Sequence, residues 1–268
     1  MPSGVVSWLV TRYEDVRTAL ADPRLHKDYR ELLNLNPNAD LPPTGRVRAL
    51  EANMLTRDPP DHTRLRRLVS KAFTPRRIEA LRPRIKQITA GLLDAVEPGA
   101  TTDLLEALAF PLPVTVICEM LTHPAELTRL RANPSLIPHA VEELLRYASP
   151  VNHATYRFAA QDVEIDGTII PRGDLVLVAV SSANRDPERF PLPDAMDLGR
   201  DPAGHVAFGH GIHYCLRAPL ARMEGEIAFG TLLERFGDIT LAVPPESLRF
   251  RPGTLIRGLE SLPVRLTR

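Results

Sequence analysis

The stretch that most constrains this chain is residues 208–222, Phe-Gly-His-Gly-Ile-His-Tyr-Cys-Leu-Arg-Ala-Pro-Leu-Ala-Arg, which sets one cysteine between a glycine-rich loop and the start of a helix. From Pro219 onward the apolar positions Leu220, Ile227, Leu232, Leu233 and Phe236 recur at helical spacing and stop before Gly237. That spacing predicts a helix of about five turns. Cys215 therefore lies just ahead of first-turn N–H groups that have no intrahelical partner, an electropositive position that favours a thiolate, the form in which cysteine ligates metals. Gly209 and Gly211 allow the backbone to approach a flat partner closely, and Phe208 and Tyr214 offer stacking surface beside it. The loop has the character of a socket for a planar group. Three other readings compete. His205, His210, His213 and Cys215 would make a zinc cluster, but a single cysteine with irregular histidine spacing falls short of zinc signatures. A Cys–His nucleophile lacks a recognisable orienting partner. A plain turn ahead of a core helix accounts for Cys215 alone but not for the whole cassette.

Composition narrows the class. With 268 residues and 44% hydrophobic content, the chain can bury a core of one large or two modest domains. Its 33 basic and 33 acidic residues cancel, which gives no support for nucleic acid as a partner. The two cysteines cannot form a disulfide framework, and Cys118 ends the apolar run from Val114, where a core role is expected; a reducing cytoplasm fits. No leader-like N-terminus and no run of about eighteen apolar residues occurs, so a membrane span is not expected. Many of the 26 prolines sit at helix starts, as in Thr74-Pro75 and His123-Pro124, which suits a helical protein.

Along the chain, residues 5–11 read as a strand that needs a partner from elsewhere, and Tyr13 to Ala21 as a helix stopped by Asp22-Pro23. Residues 27–58 form a polar connection too long for a structureless loop, and so a functional loop or lid. A helix follows, with Asp61 as N-cap and Leu65, Leu68, Val69 and Phe73 on one apolar face. It carries His62 and Arg66 four apart on one side, a pair able to hold an anion. Thr74-Pro75 opens a further helix with the stripe Ile78, Leu81, Ile85, Ile88, Leu92 and Leu93. Residues 101–105 read as a strand, 110–120 and 138–148 as helices, and 163–178 as a hairpin turning at Asp166-Gly167. Glu143 and Arg146 stand three apart on one helix, which by spacing alone most often means a solvated ion pair. Residues 184–204 are irregular, and 248–266 read as a strand–turn–strand.

The cassette resembles the haem-binding loop of the cytochrome P-450 family, Phe-Gly-x-Gly-x-His-x-Cys-x-Gly followed by Leu-Ala-Arg. Phe208, Gly209, Gly211, His213, Cys215, Ala218, Leu220, Ala221 and Arg222 agree; the glycine two residues past the cysteine is Arg217 here. The resemblance covers essentially every residue, in family order, and is nearest to soluble bacterial members of the macrolide-hydroxylase type. It implies a mainly α fold with small β-sheets, and a single haem-thiolate domain over residues 1–268. It implies haem b with its iron ligated by Cys215, and His62, Arg66, Arg157 and His213 as contacts to the propionates. Glu143, Arg146 and Arg200 would lock the region behind the loop, and Thr254, Leu255 and Ile256 would stand where the family contacts substrate.

Against family length the chain is shortened at its front and lacks a block near residues 120–121, roughly a hundred residues and more than a loop would explain. That block would carry the central helix with its Ala/Gly-Gly-x-Asp/Glu-Thr motif, which delivers protons to bound oxygen; no such motif occurs in this sequence. The implied function is oxygen-dependent hydroxylation of a hydrophobic small molecule. Electrons would come from a ferredoxin docking where Arg64, Arg67, Arg76 and Arg77 supply positive charge. The alternative is a catalytically defective haem-binding protein or a non-enzymatic remnant of such an enzyme.

Overall fold

The computed structural model describes residues 6–35, 53–108, 117–253 and 255–268. Its first strand, β1 (Trp8–Val10), does find a distant partner: it lies parallel to β7 (Leu175–Val178) with Trp8 opposite Val176. The sheet continues through β4 (Arg157–Ala159) to β2 (Leu25–His26), in the order β1-β7-β4-β2. The helix Tyr13–Ala21 buries Tyr13, Val16, Ala19 and Leu20 in the core it shares with this sheet. Two bonds fix where that helix lies. The Tyr13 N–H donates to Asp186 Oδ2 at 2.7 Å and its hydroxyl to the Gly204 carbonyl at 2.7 Å, tying the helix to the irregular segment that leads into the cassette.

The larger core is helical. Helix Ile137–Ala148 packs on helix Ala218–Arg235, the 18-residue helix expected after Cys215. Closeness there depends on a missing side chain, since a Cβ on Gly225 would stand 3.3 Å from a Val141 methyl. Leu104, Leu108, Met120, Leu130 and Leu144 are fully buried in this core, together with Leu262, Val264 and Leu266 beneath the sheet β3-β9-β8 (Thr101–Asp103, Pro263–Thr267, Asp238–Leu241). Between β5 (Val163–Ile165) and β6 (Thr168–Ile170), Asp166 and Gly167 both take positive φ, 48° and 72°, as the two-residue hairpin turn requires.

Several expectations are corrected. Asp61 is the first helical residue of Asp61–Ser70 rather than its cap; Pro60 holds the cap position, and the carboxylate sits instead in the first turn, where the helix dipole favours it. Only His62 is buried in that helix; of the expected apolar face, Leu68 and Val69 are 59% and 40% exposed and Leu65 is half-buried, while Phe73 packs against the buried cluster of Ile78, Ile85, Met223 and Ile227. The helix begun at Thr74 is two helices, Pro75–Glu79 and Arg82–Asp94. Pro83 has no N–H to offer the Glu79 carbonyl, so the ladder breaks and Leu81 and Ile88 turn outward. The strand at 101–105 ends at Asp103, where helix Leu104–Leu108 takes over. Within 27–58, Tyr29–Leu35 is helical and Met54–Thr56 a single 3-10 turn; residues 36–52 lie outside the described residues. Of the helix expected over 110–120, residues 117–120 are helical and the rest lies outside the described residues, as does Thr254.

Candidate functional site

The cassette is a tight loop pinned from both ends. The Cys215 N–H donates to the Phe208 carbonyl at 3.0 Å, Gly209 N–H to Val206 at 2.8 Å, and residues Gly211–His213 make one 3-10 turn. Its two glycines serve different ends. Gly211, at φ 71°, is pressed against the first helix, where an added Cβ would stand 3.0 Å from both Ala21 Cα and the Leu20 carbonyl oxygen. Gly209, at φ 77°, would meet nothing within 4 Å, so its side of the loop is open. Phe208 is held edge-on to Tyr214 and under the Arg222 guanidinium, 4.7 Å from the ring centre. Arg222 is anchored in turn by Glu142, which also meets His205 Nε2 at 3.0 Å. Although burial alone would raise it, the hydrogen bonds from His205 and Arg222 hold the Glu142 carboxyl down to about 2. With His205 so engaged, the zinc reading loses a ligand. Among the described residues, the one group of metal-ligating side chains close enough to share an ion is His26, Glu31 and Asp58, which does not include Cys215.

Beside the loop the structure gathers a buried cationic cluster. His62 is 2% exposed and its ring lies 4.2 Å from that of His213, centre to centre. His62 Nε2 and both ring nitrogens of His213 are buried without a hydrogen-bond partner. Arg157, 3% exposed, offers only long bonds to the Thr155 and Leu20 carbonyls at 3.3 and 3.4 Å. Arg66, one turn beyond His62, donates to the Tyr214 carbonyl at 2.7 Å. His62 and Arg66 lie four apart on the helix Asp61–Ser70, and the structure brings Arg157 and His213 near them.

One member has no counterpart in the sequence analysis: Lys27, 2% exposed, within electrostatic reach of Arg157, His62 and His213. Burial, the Arg157 charge and little else push its amine down to about 7, with only Asp58 pulling the other way. Burial followed by the Lys27, His62, Arg157 and Arg66 charges pushes His213 down to about 2, and burial lowers Arg157 to about 10. Three orphaned ring nitrogens and three cations facing one carboxylate are a costly arrangement by themselves. They fit a site built to receive a group carrying two carboxylates.

Glu143 and Arg146, taken by spacing as a surface pair, are instead fully buried. Their carboxylate and guanidinium meet in two parallel bonds of 2.7 and 2.8 Å, and Arg200 Nε reaches Glu143 Oε1 at 3.2 Å. Arg146 also donates to the Asn184, Pro193 and Ala195 carbonyls, so it pins the irregular segment that delivers the cassette. Cys118 is buried in the main core, and burial pushes its thiol up to about 12. Arg217 stands at the N-cap of the final helix, exposed, with its charge offsetting part of the burial that raises the Glu224 carboxyl.

The family model described as cytochrome P450 matches residues 129–252. The chain is 38% identical to the cytochrome P450 monooxygenase PikC of Streptomyces venezuelae, over 100% of this chain and 87% of that protein. It is 39% identical to cytochrome P450 107B1 of Saccharopolyspora erythraea, over 98% and 90%. In structure it resembles the tirandamycin C-bound P450 monooxygenase TamI, with a TM-score of 0.86 and 41% identity over 98% of this chain and 90% of that one. The PikC match runs over 368 positions against 268 residues here, so roughly a hundred positions have no residue of this chain.

Proposed function

The chain belongs to the cytochrome P450 family, and from that premise we propose that it seats a haem b whose iron Cys215 Sγ would hold. The family's members are oxidoreductases of the monooxygenase type. The observation that carries the proposal for this chain is the gathering of buried His62 and Arg157 with half-buried Arg66 and His213, their ring nitrogens orphaned, beside the loop that bears Cys215. When bound, a haem-thiolate supplies oxygen insertion into C–H bonds, the thiolate's electron density favouring O–O cleavage. The chain's own residues do the rest. His62 and His213 would donate their free ring N–H groups to the propionates, and Arg66 and Arg157 would balance their charge. Gly209 leaves room for the ring, and Phe208 fixes the loop's pitch through its contacts with Tyr214 and Arg222. Glu143, Arg146 and Arg200 hold the segment behind it.

The substrate would be a hydrophobic small molecule and the electron donor a ferredoxin, docking where Arg64, Arg67, Arg76 and Arg77 are exposed. No helix among the described residues is long and apolar enough to cross a membrane, and a cytoplasmic setting suits the cysteine usage. The test is the spectrum of the reduced chain with carbon monoxide, where a far red-shifted Soret band reports the thiolate and its absence rejects the assignment.

A second reading, a haem-binding protein with defective catalysis, is favoured by the missing positions and by the lack of an acid–threonine motif after glycine. Under it, hydrogen peroxide is expected to account for most electrons consumed in the presence of a reductase system. Product formation matching electron consumption one for one would reject it.

Arg217 gives a separate prediction. Its stem stands where the family has a glycine, and glycine at an N-cap costs the helix little. Arg217→Gly is therefore expected to raise haem occupancy of the expressed chain, measured by titration of both versions with haem. Equal affinities would mean that the stem turns into solvent, as its exposure permits.

A further inference from the structure

We infer that Lys27 is a fifth side chain that contacts the cofactor's carboxylates. The inference rests on the haem proposal above and deepens it. Its first support is register. The β2–β4 pairing sets Leu25 opposite Ala159 and His26 opposite Phe158, so Lys27, which follows the last residue of β2, is carried toward Arg157, whose charge it feels. Like charges facing each other across two strands are destabilising, and burial makes the pairing worse. Lys27 is nonetheless 2% exposed, and its side-chain amine makes no hydrogen bond or ion pair among the described residues.

Every other charged or titratable neighbour has been placed. Arg157, His62 and His213 face it without offering an acceptor, and Arg66 stands beyond them. The one anion, Asp58, spends Oδ2 on the Lys27 and Asp28 N–H groups at 2.8 and 2.9 Å and lies beside the His26–Glu31 pair. A buried, unpartnered amine against Arg157 makes physical sense when an anion comes between them.

The experiment titrates the full chain, freed of haem, with haem and with haem dimethyl ester, whose carboxylates are blocked. Lys27→Gln is expected to weaken haem roughly tenfold or more, as loss of a charge-assisted bond does, while leaving the diester unchanged. Lys27→Arg should restore most of the affinity. Equal weakening of haem and diester would make Lys27 merely structural and overturn the inference, as would no weakening of either. Failure of the unsubstituted chain to bind haem at all would instead overturn the haem proposal itself, and is told apart because no substitution is involved.

Discussion

Cys215→Ala is expected to abolish the red-shifted Soret band of the reduced, carbon monoxide-bound chain completely, while Cys118→Ala leaves it intact. The two thiols differ in everything that matters to ligation. Cys118 is 4% exposed in the main core and pushed up to about 12 by burial, so at pH 7 it stays a thiol. Cys215 is half-buried in a loop whose backbone bonds do not depend on its sulfur: the N–H that donates to Phe208 is kept in alanine. The variant should therefore keep its far-ultraviolet circular dichroism, and the lost band would report the lost ligand rather than a lost fold. Loss of the band in Cys118→Ala with retention in Cys215→Ala would overturn the assignment.

Some of this site was legible because its signals are local. The helix after Cys215, the helix Tyr13–Ala21 and the Asp166-Gly167 turn each follow from spacing or from turn residues within a few positions. The i, i+4 placement of His62 and Arg66 is of the same kind. What the sequence could not show is non-local. The parallel pairing of β1 with β7 joins residues 8 and 176, and nothing near Trp8 encodes it. Lys27 was hidden for the same reason, since only the β2–β4 register turns a lysine in a polar stretch into a buried charge beside Arg157. Leu68, Val69 and Ile88 failed in the opposite direction: their periodicity marks apolar faces, but the cluster of Ile78, Ile85, Met223 and Ile227 covers only part of those faces and leaves these three exposed.

Arg146→Ala is expected to destabilise the chain by about 3–5 kcal/mol, measured by denaturant unfolding of the haem-free chain. An exposed helical pair at i, i+3 would be worth only about 0.3–0.5 kcal/mol, so the measurement separates the two readings of the same spacing decisively. The larger figure follows from burial. Glu143 and Arg146 have side chains with no exposed area, and truncating the arginine leaves a carboxylate in the core with Arg200 and the Asp197 N–H as its remaining partners. It also frees the Asn184 and Pro193 carbonyls, leaves Ala195 to Arg200 alone, and so loosens the irregular segment that carries the chain to Gly209. Glu143→Ala should cost a comparable amount, because it strands a buried guanidinium that cannot shed its proton. The double replacement Glu143→Leu with Arg146→Met removes both charges while roughly keeping volume, and is expected to cost clearly less than the two single losses added together. A small loss for Arg146→Ala, or strict additivity in the double variant, would place the pair in water and remove the lock from behind the cysteine loop.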